Sequence, residues 1–137
     1  MNMNMNINMI KIKKKFDTLC NTKSDINEHL ITLSNYASKC NSVTEFGVRS
    51  CVSTYAFIHG LLSDNDNDNN DNNISVNKSY IGVDIKKHDN IIEIENICNE
   101  NYINFSFIED SDLNIKIENT DLLFIDSWHC YGQLIRE

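Results

Sequence analysis

Apolar residues along the chain recur at two spacings, one typical of helices and the other typical of strands. Ser24 is placed to cap a helix whose apolar positions follow the i, i+4, i+7 and i+11 spacing of Ile26, Leu30, Leu33 and Ala37. Further helical stripes cover residues 52–61, with a break near Gly60, and residues 91–98. Four short, mostly apolar runs predict strands at residues 43–46, 80–85, 103–108 and 121–126.

The predicted strands alternate with the predicted helices, which is the pattern of an α/β fold with a parallel sheet. Parallel strands place their carboxyl ends at the same edge of the sheet, and ligands of such folds bind there. Four residues stand at or just after the ends of the predicted strands: Gly47, Asp84, Asp110 and Asp126. We therefore expect these four residues to line one crevice.

The length of 137 residues allows one domain with a single core. Residues 1–15 are rich in Asn and Lys and predict a disordered tail, and residues 16–137 predict the domain. Within the domain, residues 63–77 form a low-complexity stretch of Asp and Asn that offers almost no apolar positions to a core. This stretch predicts an inserted loop.

The charge of the chain argues against nucleic acid as its partner. The formal net charge is -8 and the pI is about 4.9, whereas phosphate backbones are bound by a clustered basic face. The start of the chain alternates Met or Ile with Asn, so it lacks the continuous apolar run of a signal peptide or membrane span. The five cysteines are odd in number and form no C-x-x-C pair, which fits reduced thiols. We expect a cytoplasmic protein that binds neither nucleic acid nor membrane.

The segment 43–54 predicts a buried strand, a tight turn of small residues and the start of a helix. Gly47 would let the backbone approach a ligand closely. Ser50, Ser53 and Thr54 can cap the helix and aim its free N–H groups at a cofactor. Glu45, two residues before the glycine, either faces the cofactor or caps a backbone turn. The segment is therefore the first candidate for a cofactor site.

The spacing between Gly47 and Asp84 indicates a ribose. Asp84 follows Gly47 by 37 residues, and leaving out the 15 residues of the stretch 63–77 brings the spacing to 22. A ribose-binding acid is expected about 20 residues after such a glycine turn, and a carboxylate can accept hydrogen bonds from both ribose hydroxyls. The alternative for Asp84 is an exposed acid at a strand end.

The glycine content of the turn argues against a dinucleotide. Pyrophosphate binding needs the pattern G-x-G-x-x-G, but Gly47 is followed by Arg49, Ser50 and Cys51. A nucleotide-dependent oxidoreductase is therefore disfavoured, and a cofactor without phosphates fits better.

Four segments in order resemble one known family: EFGVRSCVST, YIGVDI, the EDS after the third strand, and DLLFIDSWHCYGQL. Together they look like the class I S-adenosylmethionine-dependent methyltransferases, in the branch of cephalosporin-hydroxylase-like and small-molecule O-methyltransferase proteins. The resemblance spans residues 42–133. It implies a Rossmann-like three-layer sandwich, here partial, with a parallel sheet in the order 3-2-1-4, and S-adenosylmethionine as the cofactor.

The resemblance also implies roles for the residues of the predicted site. Glu45 and Gly47, with Ser50 and Ser53 in the turn that follows, would hold the methionine part of the cofactor, and Asp84 would hold its ribose. The adenine would lie between Asp110 and Ser111. Asp126 would face the methyl-transfer centre and, as in metal-dependent members, bind magnesium. His129 would act as a general base or contact a small-molecule acceptor; alternatively, His129 and Tyr131 pack against Trp128.

The chain also departs from the family pattern. Cys51 stands where the family usually has a glycine, and the sequence ends after the fourth strand, whereas the family fold continues through three more. The expected function is methyl transfer to an oxygen of a small molecule or sugar. The alternatives are a catalytically degenerate binding or interaction module and a fragment of an interrupted gene. The apolar fourth strand would then sit at the sheet edge, where we expect it to pair with a second copy or a complementary chain.

Overall fold

The computed structural model describes residues 7–63 and 77–127. The helices of these residues are α1 (Ile7–Cys20), α2 (Leu30–Ala37), α3 (Val52–Ser63) and α4 (Asn90–Glu100). The strands are β1 (Ser42–Phe46), β2 (Lys78–Asp84), β3 (Ile103–Glu109) and β4 (Leu122–Ile125). Short 3-10 turns occur at Asn27–His29 and Asp112–Asn114. No helix in these two stretches has the length and apolar character needed to cross a membrane.

The four strands form one parallel sheet in the order β3-β2-β1-β4. This confirms the prediction of an α/β fold with a parallel sheet in the order 3-2-1-4, which is a partial Rossmann-like arrangement. At the centre of the sheet, Glu45 of β1 lies between Gly82 of β2 and Phe124 of β4. In the described part of the chain β4 is an edge strand, and its pairing with another chain stays a prediction.

The main core lies on one face of the sheet, beneath α3 and α4. Tyr80 of β2 stacks on Phe105 of β3 with ring centroids 5.2 Å apart, and Phe57 of α3 meets Phe124 of β4 edge-on at 5.3 Å. Side chains of α4 complete this cluster, namely Ile91, Ile94, Ile97 and Cys98. On the opposite face, β4 exposes 39% of Leu123. The described helices thus bury one face of the sheet more completely than the other.

Helix α1 contradicts the prediction of a disordered tail over residues 7–15. Ile12 is buried in the main core, and Phe16 packs in a smaller cluster with Leu30 of α2 and Ala56 of α3. Ile12 and Phe16 are four residues apart and therefore share one helical face. The lysines between them contributed to the prediction of a disordered tail, whereas they are exposed on the other faces of an amphipathic helix.

Helix α3 continues through Gly60 to Ser63, although the sequence predicted a break near the glycine. A Cβ atom at Gly60 would lie 2.2 Å from the carbonyl oxygen of Ser34 and 2.7 Å from the Cβ atom of Ala37. Gly60 therefore serves the close approach of α2 to α3. This requirement of packing outweighs the low helix propensity of glycine.

The packing of α1 gives a direct test of its place in the fold. Ile12→Ala removes a side chain that is 1% exposed, so we expect it to lower the free energy of unfolding by about 2–4 kcal/mol. The matched control is Ile7→Ala on the same helix, where the side chain is 70% exposed and the change should stay within about 0.5 kcal/mol. Urea unfolding followed by circular dichroism measures both. Equal effects of the two substitutions would contradict the docking of α1.

Candidate functional site

A cavity of about 530 Å³ opens at the carboxyl ends of the strands. Its size lies within the range of roughly 300–1,000 Å³ that is typical of small-molecule sites. Gly47, Asp84, Asp110 and Asp126 all line it, as the strand ends predicted. We refer to it as the strand-end cavity.

Gly47 is required by the close approach of β1 to the end of β4. Its φ angle is +87°, and a Cβ atom would lie 2.1 Å from the carbonyl oxygen of Asp126. The strand ends are joined by backbone hydrogen bonds from Gly47 N to the oxygen of Val83, at 2.9 Å, and from Asp126 N to the oxygen of Phe46, at 2.8 Å. The sequence predicted that the glycine allows a ligand to approach, and the structure shows that it allows the protein's own backbone to approach.

The turn after β1 has an unusual backbone for its sequence. Gly47, Arg49 and Cys51 have φ angles of 87°, 49° and 72°, so alternate residues lie in the left-handed region. Glycine adopts this region without steric cost, whereas a side chain with a Cβ atom is strained there. The turn therefore has three backbone positions that favour glycine, but Arg49 and Cys51 occupy two of them.

Cys51 is a packing residue of this turn. Its side chain is fully buried, and burial, followed by the negative charge of Glu45, raises the pKa of the thiol to about 12. A thiol with such a pKa stays protonated at neutral pH and is a poor nucleophile.

Asp84 supports the turn and lines the strand-end cavity. Its Oδ2 atom accepts a hydrogen bond from the backbone N–H of Arg49 at 2.7 Å. Its carbonyl oxygen accepts a second bond from the backbone N–H of Asp110 at 2.9 Å, which ties the ends of β2 and β3 together. Asp84 is thus more than the exposed strand-end acid of the alternative interpretation. Its predicted contact with a ribose stays a prediction.

Asp110 and Ser111 shape the wall of the cavity beyond β3. Asp110 Oδ1 accepts hydrogen bonds from the side-chain amide of Asn114 at 2.9 Å and from the backbone N–H of Ser111 at 2.6 Å. These two bonds lower the pKa of Asp110, so it is ionised at neutral pH. The hydroxyl of Ser111 accepts a bond from the backbone N–H of Leu113 and caps the following 3-10 turn.

Sequence reasoning missed three further polar residues of the cavity wall: Arg49, Asp112 and Ser127. In the sequence, Arg49 stands out only because it occupies the position of the second glycine in the pattern G-x-G-x-x-G. Asp112 follows Asp110 by two residues in the acidic segment after β3, and this segment was the available signal. With Asp112 included, the residues of the wall comprise four aspartates and one arginine.

Glu45 lies beneath the turn and away from the cavity. It is completely buried, and its carboxylate accepts hydrogen bonds from three hydroxyl groups, those of Ser53, Thr54 and Tyr80. The bond from Thr54 Oγ1 to Glu45 Oε2 is 2.8 Å long. Glu45 and Ser53 therefore do not line the strand-end cavity, because the two side chains bind each other in the interior. Their predicted contact with a cofactor stays a prediction.

Gly82 makes room for this network. Tyr80 lies two residues before Gly82 on the same face of β2, and a Cβ atom at Gly82 would lie 2.8 Å from the Tyr80 hydroxyl oxygen. The phenol therefore lies across the glycine and reaches Glu45 on the neighbouring strand. Burial raises the pKa of Tyr80 well above its ordinary value, so the phenol remains a hydrogen-bond donor.

Burial also changes the ionisation of Glu45. Loss of water raises the pKa of this carboxyl from 4.5 to about 7, while the bonds from Ser53, Tyr80 and Thr54 oppose the rise. The negative charge of Asp126 raises the pKa further. At neutral pH the carboxyl is therefore shared between its neutral and ionised forms.

The remaining predicted site residues are placed as follows. Ser50 is exposed in the turn, outside the wall of the strand-end cavity, and its carbonyl oxygen accepts a bond from the side chain of Asn90 at 3.0 Å. His129, Trp128 and Tyr131 lie outside the described residues. Over residues 7–63 and 77–127, no three His, Cys, Asp or Glu side chains are grouped to hold a metal ion. Magnesium at Asp126 therefore gains no support from its surroundings.

No protein-family model and no curated protein matches the chain. Among solved structures, the chain is similar to the SAH-bound methyltransferase PaMTH1 of Podospora anserina, with 13% sequence identity and a TM-score of 0.44. The match covers 92% of this chain and 50% of the other, so the chain spans about half the length of that protein.

The buried carboxyl predicts a pH-dependent stability. Because folding raises the pKa of Glu45, its neutral form is favoured in the fold; this stability is fully present below pH 4.5 and is lost as the pH rises through about 7. The loss should be on the order of 3 kcal/mol. Glu45→Gln keeps the size and shape of the side chain but removes the carboxyl group that titrates. We expect it to gain stability relative to the wild type between pH 5 and pH 8, as measured by urea unfolding.

The exposed acid Glu100 at the end of α4 supplies the control for this experiment. Glu100→Gln makes the same change in charge and should leave the pH dependence of the wild type unaltered. A constant difference between wild type and Glu45→Gln from pH 5 to pH 8 would disprove the raised pKa.

The left-handed backbone at Arg49 gives a second test. Arg49→Ala and Arg49→Gly remove the same side-chain contacts, including the 2.9 Å ion pair with Asp25, but only the glycine relieves the strain. Arg49→Gly should therefore be more stable than Arg49→Ala by about 1 kcal/mol. At Ser50, whose φ angle is not positive, the order should reverse, with glycine less stable than alanine by about 0.5–1 kcal/mol. Thermal unfolding of the four variants decides, and the same order at both positions would refute the strained turn.

Proposed function

We propose that the strand-end cavity binds S-adenosylmethionine, and that the chain is a methyltransferase-like domain acting on an oxygen of a small molecule or sugar. The observation that carries this proposal is the charge of the cavity. Four aspartates face one arginine around a space of about 530 Å³ at the strand ends.

This charge selects among nucleoside cofactors. S-adenosylmethionine carries a sulfonium and an ammonium group against a single carboxylate, so its net charge is positive and carboxylates attract it. Carboxylates can also accept hydrogen bonds from its ribose hydroxyls. A pyrophosphate would bring negative charge against the same wall. At about 4 Å and an effective dielectric constant of about 20, each like-charge contact costs about 4 kcal/mol. The acidic wall therefore favours the sulfonium cofactor over NAD and ATP.

The residues of the wall suit the parts of this cofactor in order along the sheet. Asp84 is assigned to the ribose, because it stands at the end of the inner strand β2, between the ends of β1 and β3. Asp110 and Ser111 are assigned to the adenine side, at the end of β3. The turn from Gly47 and the carboxylate of Asp126 are assigned to the methionine side, at the ends of β1 and β4. Glu45 contributes indirectly, by fixing the turn from beneath.

When bound, the cofactor supplies a methyl group on positively charged sulfur, which an acceptor oxygen takes as its hydroxyl proton leaves. The chain's part is to hold the reacting groups in line. Asp126 stands at the end of β4 with its carboxylate in the cavity wall, where it can orient the acceptor or receive its proton.

Calorimetric titration of the purified chain tests the proposal. S-adenosylmethionine and S-adenosylhomocysteine should bind, and NAD and ATP should bind more weakly or not at all. Tighter binding of NAD or ATP would refute the charge argument. Transfer of a labelled methyl group to an acceptor, measured separately, distinguishes an enzyme from a domain that binds without turnover.

The assignment of Asp84 predicts the effect of one substitution. Asp84→Asn should weaken binding of S-adenosylhomocysteine by about 1.5–3 kcal/mol, because a charged acceptor of ribose hydrogen bonds is lost. Asp89→Asn makes the same change in charge at an exposed position just before α4, outside the cavity wall, and should leave the affinity unchanged. Circular dichroism confirms that both variants fold. Equal affinities of the two variants would remove Asp84 from the site.

A further inference from the structure

A second cavity, of about 420 Å³, lies beside the strand-end cavity, between the start of α2 and the end of β4. Asp126 lines both cavities. Of the residues that line the second cavity, the cofactor assignment uses only Asp126, so it leaves the rest of this cavity unexplained.

An ion pair also links the two cavities. Arg49, in the wall of the strand-end cavity, donates a hydrogen bond of 2.9 Å to Asp25, which lines the second cavity. The two spaces therefore adjoin at Asp126 and at this pair. A molecule in the second cavity would lie next to a cofactor in the first, as the two reactants of a group transfer must.

The wall of the second cavity is divided by polarity. One part is apolar and is formed by Ile26, Leu33, Phe124 and Ile125. The other part offers the imidazole of His29, the hydroxyl of Thr32 and the carboxylates of Asp25 and Asp126. Such a wall fits a molecule with an apolar body and a polar group at one end.

The same wall disfavours two other classes of molecule. Two carboxylates oppose an anionic ligand. A sugar would place several hydroxyl groups against the apolar part, where they would lack hydrogen-bond partners. An uncharged hydroxyl compound with an apolar ring meets neither obstacle.

We propose that the second cavity is the acceptor site, and that it takes a small, largely apolar hydroxyl compound of the phenol type. This inference rests on the proposed function and narrows its acceptor. The hydroxyl would meet His29 and Asp126, and the ring would lie on Phe124 and Leu33. His29 lies at the end of the 3-10 turn before α2 and was not a candidate in the sequence, where His129 held the role of acceptor contact.

Nuclear magnetic resonance of the 15N-labelled chain tests the proposal, with phenol, benzoate and glucose as probes. Phenol should give saturable shifts at the backbone amides of His29, Thr32 and Phe124. Benzoate, which has the same ring with a negative charge, and glucose should not. Shifts from benzoate or glucose equal to those from phenol would overturn the assigned acceptor class.

A pair of variants on α2 tests the location. Thr32→Trp places an indole at an exposed position of the cavity wall and should weaken phenol binding by about tenfold or more, since the ring occupies the same space. Asn35→Trp adds the same side chain at an exposed position of the same helix outside that wall and should leave phenol binding unchanged. Equal effects of the two variants would overturn the location.

Titration of the same samples with S-adenosylhomocysteine separates the two proposals. An acceptor site beside the cofactor is supported if both variants bind S-adenosylhomocysteine equally and only Thr32→Trp loses its affinity for phenol. Binding of S-adenosylhomocysteine without any effect of phenol overturns the acceptor site and leaves the proposed function standing. Binding of phenol without S-adenosylhomocysteine overturns the proposed function and, with it, the acceptor role of the cavity.

Discussion

The fold depends on the burial of one carboxyl group, that of Glu45, at the centre of the sheet. Removing an acid from water is costly unless hydrogen bonds compensate. Hydroxyl groups from α3 and β2 provide that compensation, so the acid can be satisfied only when β1, β2 and the start of α3 are assembled together. Gly82 belongs to the same arrangement, because it leaves the space through which Tyr80 reaches the acid. A buried acid of this kind stabilises the fold little by itself, but it penalises other arrangements of these elements.

The same network sets the position of the turn that follows β1. Ser53 and Thr54 belong to the first turn of α3, so their bonds to Glu45 fix where the helix begins. The five residues 47–51 must then connect a fixed strand end to a fixed helix start, and the backbone meets this requirement with left-handed residues at Gly47, Arg49 and Cys51. Asp84 holds the turn from the other side through the N–H of Arg49. The strand-end cavity is thus bounded by parts whose geometry is determined in the core.

Two adjoining cavities with different walls suggest two ligands of different character. The strand-end cavity is acidic and suits a cationic nucleoside with free hydroxyls, whereas the second cavity combines an apolar part with a few polar groups. Asp126 is common to both, because β4 is the edge strand of the described sheet and its end is reached from either side. The negative charge of Asp126 also raises the pKa of Glu45, so a charge at the site affects the ionisation of a core residue. The chemistry proposed for the chain and the stability of its sheet are therefore linked through one carboxylate.

The sequence by itself determined the strands, their order relative to the helices, and the meeting of Gly47, Asp84, Asp110 and Asp126 at one edge. The strands could be predicted because runs of apolar residues are a local pattern that is visible in the sequence. The common edge could be predicted because parallel strands place their carboxyl ends together. The tertiary structure decided the features that depend on contacts between elements. Glu45 turned inward because hydroxyl groups from two different elements converge on it, those of Ser53 and Thr54 on α3 and that of Tyr80 on β2. Residues 7–15 became a helix because Ile12 packs into the main core. Asp25 and His29 came to face Asp126 across about a hundred residues of sequence. Such contacts depend on which elements pack together, and no spacing within one segment of the chain encodes them.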